Sequence, residues 1–399
     1  MNKIRTSYNH TIYASYIGYI TQAIVNNFVP LLFLTFVSDY NLTLDKITLI
    51  TTLNFLVQLC VDLLSARYVD KIGYRTAVVA AHVFSALGLI SLAFLPDLLG
   101  NAYIGILISV VFYAIGGGII EVLVSPIVEA CPTEKKEAAM SLLHSFYCWG
   151  HLAVVLLSTA FFHFVGIENW KILACLWAII PIFNIFYFSQ VPIYSLTEGH
   201  EKMSFGALVK EKVFWLLILM MLCAAASEQA MSQWASAFAE AGLNISKAVG
   251  DLAGPSAFAL CMGTSRALYG KYADRLPLDK AIIGSCILCA VCYLTAVFAG
   301  SPLLALIGCA VCGFSVGILW PGSFSMAAIK FPGGGTAMYA IMALAGDLGC
   351  SLGPTLVGLR ANANGDNLKM GLSVGVFFPL IMLLGILVLN RTPVKNQQS

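Results

Sequence analysis

The sequence predicts an all-α membrane protein in which twelve transmembrane helices form two pseudo-symmetric six-helix bundles. Composition is the first reason: 59% of the 399 residues are hydrophobic and 11% are charged, against about 25% charged in a soluble domain. The second is a series of apolar runs of about 20 residues, the length that crosses a bilayer. The third is a segment repeated half a chain apart. The spans should be helices, because an open sheet edge cannot exist in lipid.

Twelve apolar runs qualify as spans. In the first half they cover 11–36, 47–66, 77–95, 103–127, 138–165 and 172–191. In the second half they cover 214–239, 249–269, 281–299, 303–330, 338–359 and 370–389. The first run is too long for a signal-peptide core and lacks a small-x-small cleavage site, so we expect it to be a mature span.

A polar stretch, 193–212, separates the two predicted bundles, 1–192 and 213–399, and is typical of a linker with one short interfacial helix. Lysine and arginine are concentrated in the loops on the side of both termini and this linker. The opposite side has only Lys46, Lys171, Lys247, Arg360 and Lys369. The positive-inside rule therefore predicts a multi-pass protein of the cytoplasmic membrane with both termini in the cytoplasm. A net charge of +2 gives no reason to expect a nucleic-acid partner.

The repeated segment reads VDLLSARYVDK at 61–71 and SRALYGKYADR at 265–275. The loop motif comprises Asp62, Arg67, Asp70, Lys71, Gly73 and Arg75 in the first copy and Arg266, Asp274 and Arg275 in the second. Asp70 can cap a helix start, and Lys71 and Arg75 can brace helix C-termini; the alternative is ordinary cytoplasmic charge. Asp62 and Arg266 occupy corresponding positions with opposite charge, which favours a latch between the halves or simple snorkelling to the interface.

The loop YVDKIGYR at 68–75 resembles the loop motif of the major facilitator superfamily, which recurs between the eighth and ninth helices of that fold. Two helices resemble its fucose/sugar:proton symporter subfamily: GGGIIEVLVSP at 116–126 and GILWPGSFSMAAIK at 317–330. The resemblance implies a secondary transporter with a solute site between the halves near the midplane. It departs in the first helix, GYITQAIVNNFVPLL at 18–32, which has amides where the subfamily carries a proton-linked aspartate.

Ionisable residues inside predicted spans are candidates for proton coupling, because a charge at the bilayer centre costs about 2.5 kcal/mol or more on insertion scales. They are Glu121, Glu228, Asp347, His144 and His151. Glu121 leads, since its apolar neighbours favour a neutral carboxyl that can carry a proton. Glu228 is the alternative proton site or an acceptor for sugar hydroxyls. Each of the five could instead clamp neighbouring helices.

Amide and indole side chains predict a cavity for a polyol, with amides for hydroxyl groups and indole faces for C–H surfaces. The candidates are Gln22, Asn26, Asn27, Gln229, Gln233, Trp234 and Trp320. Each has a structural alternative, because asparagine joins membrane helices and tryptophan anchors at the interface.

These patterns predict a monomeric secondary active transporter that moves a small sugar-like solute by alternating access, in symport with a proton or, alternatively, sodium. Efflux of amphipathic compounds is a second interpretation, and a non-transporting sensor or scaffold is a third. We expect no enzyme activity and no cofactor, because Gly270-Lys271 lacks the glycine spacing of a P-loop. We also expect no metal site, because the twelve cysteines lie in apolar runs where a thiol packs as a small hydrophobe.

Overall fold

The computed structural model describes residues 3–133, 136–194, 205–272, 275–331 and 335–391. Every regular element within those ranges is a helix, which confirms the predicted fold class. The chain divides into two compact units, Met1–Glu198 with Ala235–Leu260 and Gly199–Trp234 with Cys261–Ser399. Residues 235–260, which the sequence places in the second half, thus group with the first unit. The division into the repeated halves 1–192 and 213–399 stays a prediction.

Seven helices make up the first 190 residues. They are α1 (Tyr8–Asn27), α2 (Phe33–Tyr40), α3 (Leu44–Ile72), α4 (Tyr74–Leu98), α5 (Ala102–Glu129), α6 (Lys136–Val165) and α7 (Trp170–Gln190). Short 3-10 turns lie at Lys3–Arg5, Val29–Leu32 and Ile167–Asn169. Helix α5 packs against α1, α3 and α4, so it occupies a central position in the first unit.

The remaining described helices are shorter and more often interrupted. They are α8 (Phe205–Leu208), α9 (Lys212–Ser232), α10 (Ala235–Ala237), α11 (Lys247–Asp251), α12 (Ala257–Tyr272), α13 (Leu278–Phe298), α14 (Pro302–Val316), α15 (Leu319–Lys330), α16 (Gly335–Ala363), α17 (Leu368–Leu372) and α18 (Phe377–Arg391). Phe238–Gly242 and Leu252–Ser256 are π-helical, and Ser373–Val376 is a 3-10 turn. Helix α8 lies in the predicted linker, of which residues 195–204 lie outside the described residues.

Eleven helical segments among the described residues are long and apolar enough to cross a membrane. The predicted eighth span, 249–269, is not one of them, because Asp251, Arg266 and several small polar residues lower its hydropathy. It is nevertheless helical through α11, the π-helical turn and α12. The count of twelve spans therefore stays a prediction that depends on this segment.

Prolines interrupt two of the predicted spans. In the first span, α1 ends at Asn27 and a 3-10 turn containing Pro30 separates it from α2. In the tenth, Gly317 and Ile318 lie between α14 and α15, and Pro321 follows them. Proline has no backbone N–H, so Pro321 leaves the carbonyl of Gly317, four residues earlier, without its usual partner in the helix. This carbonyl matters at a site described below.

Helices α9 and α16 pack closely in the second unit, because glycine removes side chains from their interface. A Cβ atom at Gly353 would lie 2.6 Å from the carbonyl oxygen of Ala226. Small residues permit this close backbone approach between membrane helices. Every residue of 223–239 is buried, so α9 holds its polar residues inside the protein.

The twelve cysteines all lie in the described residues and are free thiols. Nine are buried, including Cys286, Cys289 and Cys292 on α13. The Sγ atoms of Cys289 and Cys312 lie 3.9 Å apart, so the thiols are in contact and not bonded.

Candidate functional site

Three consecutive glycines on α5 position Glu121. A Cβ at Gly116 would lie 2.5 Å from the carbonyl oxygen of Ala81 on α4. A Cβ at Gly118 would lie 3.1 Å from the Cα of Gln58 on α3. The absence of side chains therefore lets α5 approach both helices, and Glu121 follows within one turn. This local packing fixes the height and direction of the Glu121 carboxyl group.

Gln22 on α1 donates a hydrogen bond of 2.5 Å from its Nε2 to Oε2 of Glu121. Gln22 is buried and Glu121 is half-buried. The structure thus brings together an acid predicted for proton coupling and an amide predicted for solute binding. The bond joins α1 to α5 within the first unit.

A buried amide network lies on the same side of α1. Asn26 accepts through Oδ1 from Asn54 Nδ2 at 3.2 Å and from Gln58 Nε2 at 2.8 Å. Gln58 also donates to Asn54 at 3.1 Å. The sequence analysis did not select Asn54 and Gln58, although two amides four residues apart in an apolar run share one helix face and were a usable signal.

Asn27 belongs to a different set of contacts. Its Nδ2 donates to the Ala23 carbonyl at 2.9 Å and to the Tyr147 hydroxyl at 3.4 Å. The first bond satisfies the side chain within its own helix, one turn back. A role of Asn27 in solute binding stays a prediction.

The two candidate histidines on α6 differ in exposure. His151 is 2% exposed, and its neighbour Gly150 permits close approach to α1, where a Cβ would lie 3.0 Å from Ala23 Cβ. His144 is exposed, and its ring centre lies 5.4 Å from that of Tyr19. The structure does not bring the two imidazoles into one cluster, and their roles in coupling stay predictions.

The polar residues of α9 form a connected row in the second unit. Arg266 on α12 places Nη2 3.5 Å from Glu228 Oε2. Gln229 Nε2 lies 3.4 Å from Glu228 Oε1, and Gln233 Nε2 donates to Gln229 at 3.1 Å. All four residues are candidates from the sequence, which predicts that Arg266 either forms a latch with Asp62 or snorkels to the interface. The two latch residues belong to separate units, so that latch stays a prediction.

Two tryptophans of the second unit lie in different settings. Trp234 is fully buried, and its indole N–H donates to the Pro354 carbonyl at 3.0 Å. This bond satisfies its polar group, and a role of the indole face in solute binding stays a prediction. Trp320 is half-buried, stacks edge-on against Phe324, and lies directly over Gly346. Asp347, the residue after Gly346 on α16, is 3% exposed, and its role in coupling stays a prediction.

The loop motif between α3 and α4 turns at Gly73, whose φ of +89° suits a residue without a Cβ atom. Arg75 donates to the carbonyl groups of Phe188 and Ser189, both at 2.9 Å, at the end of α7. This is the bracing that the sequence suggested for a cation at a helix C-terminus. Asp62 is 8% exposed on α3.

Some residues of the loop motif and of its second copy lie outside the described part of the chain. The side chains of Arg67, Asp70 and Lys71 and the whole of Asp274 lie outside the described residues. Arg275 is exposed just after that gap. The gate role of the motif stays a prediction.

A buried ion pair on α11 was missed by the sequence analysis. Lys247 Nζ lies 3.2 Å from Asp251 Oδ2, and Asp251 is 1% exposed. Ser236 and Thr159 also donate to the Asp251 carboxylate. Lysine and aspartate four residues apart on one helix face were the available signal. Their partners from α6 and α10 could not be inferred from spacing.

His82 is a second buried polar residue that the sequence analysis passed over. Its Nδ1 contacts the Val78 carbonyl at 2.7 Å, and Asn184 Nδ2 lies 2.8 Å from its Nε2. A carbonyl can only accept and an amide NH₂ can only donate, so the ring is neutral with its proton on Nδ1. Both nitrogens are satisfied, which makes His82 a structural link between α4 and α7.

The fold and these intramembrane polar clusters define a multi-pass membrane protein of the transporter class. A model of the Major Facilitator Superfamily matches residues 15–354, and the chain belongs to that family. Comparison with curated protein sequences gives no significant match.

Solved structures with the same fold include two kinds of transporter. A bacterial homolog of the human lysosomal transporter Spinster, inward-facing and occupied, is 13% identical with a TM-score of 0.79, covering 100% of this chain and 99% of that one. A variant of the Escherichia coli fucose:proton symporter FucP is 15% identical with a TM-score of 0.67, covering 96% of this chain and 99% of that one. FucP in its outward conformation is 16% identical, with a TM-score of 0.64 and the same coverage. At these identities the likeness shows a shared fold.

Proposed function

We propose that this protein is a secondary active transporter that carries a small polar, sugar-like solute by alternating access, coupled to a proton that Glu121 binds. The observation that carries the proposal is the hydrogen bond from Gln22 to Glu121. It joins an acid inside a span to an amide on the helix where the fucose subfamily has its acid. A carboxyl group inside a membrane span can change protonation when its exposure changes.

Further support comes from the amide clusters and from the family. Asn26, Asn54 and Gln58 place amides inside the first unit, and Gln229 and Gln233 do so in the second. Amides donate and accept, as hydroxylated solutes require. One structural neighbour is a fucose:proton symporter. The distribution of loop cations supports a location in the cytoplasmic membrane with both termini in the cytoplasm.

The substrate class is tested first by thermal shift. Purified protein is screened against neutral monosaccharides, sugar acids, nucleosides and hydrophobic dyes. A binder at 100 times its Kd stabilises the folded state by about 2.7 kcal/mol. Stabilisation by dyes alone, with dye extrusion from cells, would favour the efflux interpretation.

Coupling is tested with Glu121→Gln in proteoliposomes that hold a pH gradient, using the best neutral sugar or sugar acid of the screen. The amide mimics the protonated acid, so this variant should bind solute and exchange it across the membrane but should not accumulate it. Its binding should also lose pH dependence.

Glu211→Gln is the matched control, because Glu211 is exposed just before α9 and its side chain makes no cap bond. Normal uphill transport by Glu121→Gln, together with loss of coupling in Glu228→Gln, would move the proton site to α9.

A further inference from the structure

The ion pair between Glu228 and Arg266 joins α9 and α12 within the second unit. Nη2 of Arg266 lies 3.5 Å from Oε2 of Glu228, with side-chain exposures of 8% for Glu228 and 18% for Arg266. Strong hydrogen bonds between a guanidinium and a carboxylate are about 2.7–2.9 Å long. The approach in this pair is longer than that, so a second carboxylate that comes closer can compete with Glu228 for Arg266.

Arg266 is held in place by the Gly317 carbonyl, which has no helical N–H partner because residue 321 is proline. In a continuous helix the Gly317 carbonyl would accept from the backbone N–H of residue 321, but proline has none. Arg266 Nε donates to this carbonyl at 2.9 Å. Gly317 also lets the chain approach α12, since a Cβ there would lie 2.9 Å from the Met262 carbonyl oxygen. The Nε end of the guanidinium is thus fixed by backbone, independently of Glu228.

The position of Arg266 on α12 points it away from lipid. Leu260, Thr264 and Leu268 are exposed and recur every four residues, which defines the outward face of the helix. Arg266 lies two residues from Thr264, or about 200° around the helix at 3.6 residues per turn. It therefore faces the same interior that holds the buried amides Gln229 and Gln233 of α9.

A purely structural ion pair is the simpler explanation, but burying two charges gains little stability. The desolvation cost of a buried pair is often as large as the attraction it recovers. Three features together form a site for an anion that also carries hydroxyl groups. The first is Arg266, whose Nε is held by the Gly317 carbonyl. The others are its loosely held counter-ion, Glu228, and the neighbouring amides Gln229 and Gln233.

We propose that Arg266 binds the carboxylate of the transported solute, a hydroxylated monocarboxylate of the sugar-acid class, and that Glu228 is the counter-ion it replaces. In the protein without solute, the Glu228 carboxylate pairs with the Arg266 guanidinium. The solute carboxylate takes its place, while Gln229 and Gln233 bind hydroxyl groups. This assignment rests on the proposed transport function and narrows its substrate class.

The test compares acid and neutral sugars of matched shape. Binding of glucuronate and galacturonate is measured beside that of glucose and galactose, for wild type, Glu228→Gln and the double variant Arg266→Gln/Glu228→Gln. The double variant removes both charges, so it leaves no buried ion alone. It should lose at least about tenfold in affinity for the acids, the value of a hydrogen bond to a charged group. Glu228→Gln removes the competitor and should bind the acids at least about threefold more tightly than wild type.

Three results would overturn the assignment. One is a folded double variant that binds both acids as wild type does. Another is a wild type that binds neither acid. The third is proton-driven accumulation of a neutral sugar that does not depend on Arg266, which would leave the proposed transport function intact. Conversely, acid binding that depends on Arg266 but is never driven by a proton gradient would support this site and count against the proposed coupling.

Discussion

Lys247 and Asp251 form a buried ion pair one helical turn apart, with Nζ 3.2 Å from Oδ2. The same ammonium group donates to the carbonyl of Leu31 at 2.6 Å, inside the 3-10 turn that Pro30 introduces after α1. Lys247 therefore neutralises a carboxylate and satisfies a carbonyl at a helix interruption. Lys247 thereby links α11 to the 3-10 turn that follows α1, within the first unit.

Removal of one partner should be costly. We expect Asp251→Ala to destabilise the protein by about 3 kcal/mol, because it removes the nearer counter-ion of Lys247 and leaves only Glu240, whose Oε2 lies 3.9 Å from Nζ. The double variant Lys247→Met/Asp251→Ala should recover much of that loss. Thermal unfolding in detergent gives the measurement.

The exposed pair between Lys171 and Asp97 provides the control, since its carboxylate is 55% exposed. Asp97→Ala should cost about 1 kcal/mol or less, as surface ion pairs do. Equal losses for Asp97→Ala and Asp251→Ala would contradict the buried role of Lys247 and Asp251.

Solute binding should depend on amides in both units. Asn27→Leu and Gln233→Leu should each weaken sugar binding at least about fivefold, because an unpaired buried partner costs about 1–3 kcal/mol. Calorimetric titration with the sugar found by the thermal-shift screen measures the effect. Unchanged sugar binding in both variants, with continued dye extrusion, would favour efflux.

The close approach of α9 and α16 predicts a steric effect. Gly353→Ala places a Cβ 2.6 Å from the Ala226 carbonyl oxygen and should destabilise the protein by about 1–3 kcal/mol. Gly284→Ala is the control, because that position in α13 has no atom within 4 Å of the added Cβ. There the change should be neutral or stabilising by up to about 1 kcal/mol. A shift in unfolding temperature of the same sign in both variants would refute this packing argument.

Gly73 predicts a backbone effect at the loop motif. Its φ of +89° is strained for any residue with a Cβ, although no atom blocks the side chain. We expect Gly73→Ala to cost about 1–3 kcal/mol. Gly73→Asn should cost less than Gly73→Ala, since asparagine tolerates positive φ better. If unfolding experiments rank the two variants in the reverse order, backbone strain is not the cause.

Much of the fold could be predicted from the sequence, because lipid permits only helices and closed barrels, and apolar runs of about 20 residues have the length of a spanning helix. Glu121 and Glu228 could also be selected from the sequence, because charged residues are rare inside membrane spans. Their partners could not, because the approach of Gln22 to Glu121 and of Arg266 to Glu228 depends on how separate helices pack.

Other contacts could not be predicted for the same reason. The bond from the Trp234 indole N–H to the Pro354 carbonyl on α16 depends on helix packing. A role of Trp234 in solute binding stays a prediction. The four-residue spacing of Lys247 and Asp251 is present in the sequence. The pair lies at the start of the predicted span 249–269 and was not selected as a candidate site. The sequence predicts a span at 249–269, but the mean hydropathy of this segment is lower than that of the eleven segments apolar enough to cross a membrane.

That weak segment has a consequence for how the protein is made. An arginine inside a helix raises the free energy of insertion, by up to about 2.5–3.5 kcal/mol at the helix centre, when the translocon releases that helix into lipid alone. Arg266 has its counter-ion on α9, the preceding long helix, which is strongly apolar and enters readily. We therefore expect α12 to stay at the translocon until α9 is beside it and to leave as a hairpin with α9. The charge that serves binding in the mature protein would then also set the order of its biosynthesis.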